Sequence, residues 1–265
     1  MSNKFWQSKA FDQFLPWAVP IFLLILWQIS SKLGWLSTRI LPAPSDVVQT
    51  FLQLLSSGEL LRNISISTGR ALLGFVIGGG IGFILGLLNG LFVLSEKLTD
   101  TSLQMLRNIP HLALIPLVII WFGIGEPARV FLVALGVFFP VYINTFYGIR
   151  NVDKGLVEMG KVYGLNNAAL FWEVIFPGAL PSILVGVRFA LGIMWLTLIV
   201  AETIASNSGL GFMAMTAREF MRTDVVVLSI LIYALLGKLA DIVAGFLEKK
   251  FLSWHPSYQL TSKTA

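Results

Sequence analysis

Gly155-x4-Gly160-Lys161 is the nearest this chain comes to a catalytic motif, because it has the glycine and lysine spacing of a loop that cradles phosphates. Such a loop needs a Ser or Thr after the lysine to hold magnesium and a buried strand leading into it. Here Val162 follows the lysine and no apolar strand precedes the motif. Nucleotide hydrolysis is therefore assigned to another polypeptide, and the chain itself is expected to bind no cofactor. With no Cys and 2 His, neither a disulfide framework nor a Cys or multi-His metal site is available. An intramembrane enzyme would need a nucleophile with a base, or paired carboxylates, inside the apolar segments, and neither is evident.

What remains is charge set into apolar sequence. Arg188 lies about two turns into one apolar segment, and Glu202 lies near its other end, too far along a helix axis for the two to meet. Either could face a translocation path, and Arg188 could instead snorkel to the nearer interface. Lys238 and Asp241 are three apart, share a helical face and can neutralise each other. His111, at the edge of another segment, is open to two readings, a proton relay or an interfacial hydrogen-bonding residue.

The elements that must position these groups are membrane helices. Hydrophobic residues make up 56% of the 265, charged residues only 12%, and the mean hydropathy is +0.80, too little charge to coat a soluble surface of this size. About 20 apolar residues cross a hydrocarbon core. On that basis the sequence predicts one all-α polytopic domain, a six-helix bundle with spans near 16–29, 71–94, 109–122, 128–149, 181–205 and 226–247. The net charge of +5 is scattered between apolar segments, so it reads as topology signal rather than as a nucleic-acid surface. Lys4 and Lys9 precede an apolar stretch as in a signal peptide, but no small-residue cleavage site follows, so the stretch is expected to remain as the first anchor.

With both ends cytoplasmic, the inner side holds Lys4, Lys9, Lys97, Arg107, Arg150, Lys154, Lys161, Lys249, Lys250 and Lys263. The outer side holds Lys32, Arg39, Arg62, Arg70, Arg129, Arg218 and Arg222. Ten against seven favours that orientation only weakly.

Gly74, Gly78, Gly82, Gly86 and Gly90 recur every four residues and so form one stripe on which another backbone can approach closely. The stripe is either plain close packing or a surface along which helices shift. In the third span, Asn108, Pro110 and His111 open the segment, Pro116 interrupts it, and Gly123 and Gly125 close it. Breaks of this kind survive in a membrane where freed backbone groups are sheltered or wetted, so the span is a candidate pore-lining element or a simple proline kink.

The long loop between the fourth and fifth spans runs over 150–177. Leu156, Val157 and Tyr163 give a short amphipathic helix that stops at Gly164, and Asn166 or Asn167 caps a second helix running toward Pro177. Glu158, Gly164 six residues on, then Val174-x-Phe176-Pro177, fit the pattern E-A-A-x3-G-x9-I-x-L-P, and the chain thereby resembles the permeases of binding-protein-dependent ABC importers. Met159 and Gly160 depart from the two alanines, and Val174 and Phe176 replace Ile and Leu. Gly34 to Pro42, Leu106 to Pro116 and Val187 to Gly192 extend the resemblance over nearly the whole chain, and bring it nearest to the aliphatic sulfonate members of a group that includes taurine, nitrate, bicarbonate and thiamine-precursor permeases.

That resemblance implies a type I importer permease of the bacterial inner (plasma) membrane with both termini cytoplasmic. It implies a homodimer, two ATPase subunits carrying ATP and magnesium, and a periplasmic or surface-tethered binding protein. The 150–177 loop would be the cytoplasmic element that docks on the ATPase, with Glu158 as polar anchor and Gly164 as the tight turn. The segment from Ser206 to Gly211 and on to Thr223 would be outer gate or docking structure, or an ordinary loop. The cargo would be a small organic anion moved by alternating access. A secondary transporter is the competing class, and it should carry a stronger intramembrane ion or proton site than one Arg, one Glu and a Lys–Asp pair.

Overall fold

Hydrocarbon offers no partner to a backbone amide, so an apolar chain of this kind must close its hydrogen bonds within helices. The computed structural model describes residues 9–254 apart from 36, 38 and 39, and among the described residues there is no strand. Lys4, Arg39 and Lys263, used above as orientation signals, lie outside the described residues. In chain order the helices are α1 (Lys9–Lys32), α2 (Pro44–Ser56), α3 (Glu59–Leu91), α4 (Val93–Arg107), α5 (Ile115–Phe122), α6 (Glu126–Arg150), α7 (Lys154–Val162), α8 (Asn167–Leu170), α9 (Phe176–Ala205), α10 (Leu210–Glu219) and α11 (Thr223–Phe251). A 3₁₀ turn, His111–Leu114, leads into α5, and a π turn, Phe171–Ile175, joins α8 to α9. The all-α polytopic class expected from the sequence holds.

The chain forms two compact units, residues 1–63 with 213–231, and residues 64–212 with 232–265. In the first, Thr50 on α2 donates to Asp224 at the start of α11 at 2.6 Å, and Gln28 on α1 bonds Ser45 at the start of α2. The second contains the functional elements described below.

Four helices are long and apolar enough to cross a membrane: Glu59–Leu91, Glu126–Arg150, Asn167–Ile204 and Thr223–Phe251. The apolar helix Trp17–Lys32 is shorter. Two differences from the sequence reading have physical causes. The third predicted span is the second arm of a broken helix pair: α4 and the segment His111–Phe122 meet at 84°. Pro110 caps the 3₁₀ turn and Pro116 sits in the first turn of α5, where a missing N–H costs no helical bond, so Pro116 begins a helix rather than interrupting one. The α9 helix, in turn, is continuous back to Asn167. Phe176 N–H bonds to the carbonyl of Phe171, five residues back, so the helix is widened just where Pro177 removes a donor.

The glycine stripe of α3 lies against α6. A Cβ at Gly74 would stand 2.6 Å from Val133 Cβ, one at Gly82 2.5 Å from the Phe138 carbonyl, one at Gly86 2.7 Å from Thr145 Cβ and one at Gly90 2.9 Å from Ile149 Cβ; Gly78 meets the Ala134 backbone. These are backbone and Cβ atoms that cannot swing aside, so the close approach depends on glycine. Gly82→Val is expected to remove most folded protein from the membrane fraction, whereas Gly80→Ala, with nothing within 4 Å of the new methyl, should leave it unchanged. Immunoblotting of membranes checks both. On its other side α6 packs along α9 through a second small-residue seam, with Gly136 against Thr197 and Ile193, Gly148 against Ala179 and Ser182, and Gly186 against Asn144.

Candidate functional site

The loop between α6 and α9 is built as one stiff body. Asp153 accepts a hydrogen bond from Gly155 N–H at 2.7 Å and caps α7. At the other end of α7, Leu165 N–H reaches the Gly160 carbonyl at 3.0 Å and Gly164 N–H the Lys161 carbonyl at 3.0 Å, the paired bonds of a Schellman turn. Gly164 takes φ +82 to make that turn. Asn166, rather than Asn167, then caps α8 through Ala169 N–H at 2.9 Å.

Gly160, one departure from the family pattern, is buried, and a Cβ there would stand 2.8 Å from Leu170 Cδ1 and 3.2 Å from Leu165 Cδ1, terminal methyls that would have to turn aside for an alanine. Val174 packs on the same spot, and Phe176 joins the cluster of Ile149, Ala179 and Ile183 that roots the loop in α6 and α9. Pro177 occupies the first turn of α9. Glu158 and Met159 are exposed, as are Leu156, Val162 and Tyr163. Leu156, Met159, Tyr163 and Trp254 border an apolar groove of about 470 Å³ beneath α7. A rigid elbow that presents one carboxylate and an apolar rim can transmit a push as a body, which a flexible loop cannot.

At the end of α9 remote from this loop, the structure assembles a buried charge cluster. Glu202 is buried, 1% exposed. Its carboxylate accepts from Arg70 at 2.7 Å, Ser67 at 2.8 Å, Tyr233 at 2.9 Å and Gly211 N–H at 2.9 Å. Arg70 also pairs with Glu126, which holds Arg129 at 2.8 Å. Arg70 reaches the Ser208 carbonyl at 2.7 Å and the Ser208 hydroxyl at 2.8 Å, so the segment after α9 is clasped onto α3. Gly209, at φ +103, fits against Glu202 and Arg70 where no side chain could. The Ser206 to Gly211 segment is therefore a fastened turn, not a loose loop. Arg70 and Arg129 enter the sequence reading only as loop charges. The signal that could have found the cluster is that Glu126 and Glu202 fall at the same membrane side as those two arginines.

Arg188 is tied across α9 and α11 by ion pairs. Its Nε and Nη2 bind Asp241 at 2.9 and 2.6 Å, and Nη1 binds Glu248 at 3.1 Å. The Lys238–Asp241 bond exists, at 3.2 Å, but it is not self-contained because Asp241 is shared with Arg188 across α9 and α11. His111 Nε2 lies 3.1 Å from Thr197 Oγ1 and so ties the broken span to α9, while Asn108, Pro110 and Pro116 are exposed. A third polar cluster was not anticipated: buried Asn89, beside Gly90, bonds Ser95, Thr99 and Tyr142, and Tyr142 donates to Asp100 at 3.1 Å.

Residues 78–253 match the family described as binding-protein-dependent transport system inner membrane component. The chain is 63% identical over 249 residues to the putative aliphatic sulfonates transport permease protein SsuC of Escherichia coli (strain K12), covering 94% of this chain and 95% of that protein. It is 47% identical over 241 residues to the protein of the same description from Bacillus subtilis (strain 168), covering 91% and 87%. Among solved structures, the chain of an amino acid ABC transporter with histidines superposes with a TM-score of 0.62 at 17% identity, covering 77% of this chain and 96% of that one, a likeness of fold.

Proposed function

We propose, since this chain belongs to the family of binding-protein-dependent transport system inner membrane components, that it is the permease through which aliphatic sulfonates are imported at the cost of ATP. The observation that carries the cargo is the 63% identity, over almost the full length of both chains, to a permease described as transporting aliphatic sulfonates. The family works with an ATPase and a substrate-binding protein. In the arrangement we infer, two copies of this chain form one pathway, two ATPase subunits bind beneath it with ATP and magnesium, and this chain binds no cofactor. The 150–177 loop and both termini are cytoplasmic, and the Arg70–Glu202 cluster lies at the outer end.

The loop's construction supports its role as the coupling element. Glu158 stands exposed on a capped helix whose far end is fixed by the Gly164 turn, and the turn is anchored through Val174, Phe176 and Pro177 into the root of α9. Closure of the ATPase pair moves that elbow, and the elbow moves α9 and α6, which are packed together along their length. Glu158→Lys is expected to uncouple ATP turnover from uptake while leaving the complex assembled, and ATPase and uptake assays on one preparation check it.

Growth tests the cargo. A strain lacking this chain, and free of a redundant system, should fail to grow with an alkanesulfonate as sole sulfur source and should take up taurine and nitrate as before. Normal alkanesulfonate uptake in that strain removes the assignment.

A further inference from the structure

Arg188 and Lys238 are charged and substantially exposed, and each lies within a helix long and apolar enough to cross a membrane. Lys238 stands about 20 Å from either end of α11 at the helical rise per residue, within a hydrocarbon layer of about 30 Å. Its side chain is 67% exposed, and that of Arg188 is 45% exposed. Charges at that depth are costly against lipid and are found facing water or protein. That cost argues for a face of α9 and α11 turned toward water or protein rather than lipid.

We propose that Arg188, Lys238 and Asp241 form an exchangeable anion site within the membrane, at which the transported sulfonate takes the place of the Asp241 carboxylate. This rests on the reading of the cargo as an organic anion. Asp241 already shows how an anion is held there: Arg188 Nε and Nη2 grip it at 2.9 and 2.6 Å, and Lys238 Nζ closes on its other oxygen at 3.2 Å. Both guanidinium bonds go to one carboxylate oxygen and the ammonium takes the other, so a sulfonate needs one oxygen between Arg188 Nε and Nη2 and a second facing Lys238 Nζ. Glu248 Oε2, at 3.1 Å from Arg188 Nη1, holds the guanidinium in place while Asp241 is displaced.

The resident carboxylate matters because a transit site must be weak. Without Asp241, Arg188 and Lys238 would be opposed by Glu248 and would hold a sulfonate more firmly, whereas a site that trades one anion for another admits the cargo and releases it. Asp241→Asn should therefore tighten sulfonate binding and slow turnover, lowering both KM and kcat. Lys238→Gln should raise KM, and Lys238→Arg should restore it.

The chain has no cysteine, so a single reporter can be placed beside the site. Leu235, exposed and one turn from Lys238 on the same face, is replaced by Cys in the complete complex with its ATPase and binding protein. A sulfonate-bearing methanethiosulfonate reagent should modify it several-fold faster than a trimethylammonium reagent. Ethanesulfonate should slow that reaction, and Lys238→Gln should abolish the anion preference. Lack of modification by either reagent means that the face is covered by a second copy or by lipid, and overturns the proposal. Equal rates that Lys238→Gln does not alter overturn it as well. Failure of the cargo reading looks different: the wild-type complex imports no ethanesulfonate, while the charge preference at position 235 persists and is quenched by another anion such as sulfate or nitrate.

Discussion

Gly164→Val should leave the permease assembled in the membrane and sharply reduce import. The residue sits at φ +82, where a side chain carries a backbone penalty of about 1–2 kcal/mol and a β-branched one is hardest to place. A shift of that size changes a local equilibrium by about tenfold. Its consequence is local because nothing lies within 4 Å of the Cβ position, so the substitution bends the turn without pushing on the bundle. The bent turn loses the bonds from Leu165 to Gly160 and from Gly164 to Lys161, which fix the angle between α7 and α8. Uptake should fall by about tenfold or more while the partner ATPase continues to turn over. Normal uptake by a complex containing Gly164→Val removes the turn from the mechanism.

Glu202→Ala should be the most damaging single substitution at the other end of α9. It leaves Arg70, itself buried, without its shortest fully buried carboxylate partner, and strips acceptors from Ser67, Tyr233 and Gly211 N–H. Breaking one side of a buried pair costs about 3–5 kcal/mol, which for a chain of this length corresponds to a fall in Tm of about 10 °C. Glu202→Gln, which keeps a hydrogen-bond acceptor, should fall by less. Thermal unfolding of the detergent-solubilised complex measures both, and a Tm unchanged in Glu202→Ala shows that the cluster does not hold the Ser206 to Gly211 turn.

The parts that were legible in the sequence are those with a period or a fixed spacing. The glycine repeat in α3 marks a close-packed face because a four-residue period is a geometric statement about one side of a helix. The 150–177 loop was legible because its caps and its positive-φ glycine are set by local chemistry that survives without tertiary information. Other features needed coordinates. The 84° break after α4 depends on which proline opens a helix and which interrupts one, and Pro116 alone does not say. Glu202 and Arg188 were recognised as misplaced charges, but their partners Arg70 and Glu248 lie far away in sequence, on helices whose rotation no periodicity fixes. Asn89 escaped because one polar residue inside a glycine-rich span carries no spacing signal of its own.

In this mechanism a separate ATPase drives the chain through its cytoplasmic elbow to bring a sulfonate inward. Purified permease, ATPase and binding protein reconstituted into vesicles, with radiolabelled ethanesulfonate supplied on the binding-protein side and ATP on the other, measure this directly. Accumulation that needs all three components, and that ceases with a non-hydrolysable ATP analogue, is the predicted result. Accumulation by the permease alone, driven by an ion or proton gradient and indifferent to ATP, contradicts it.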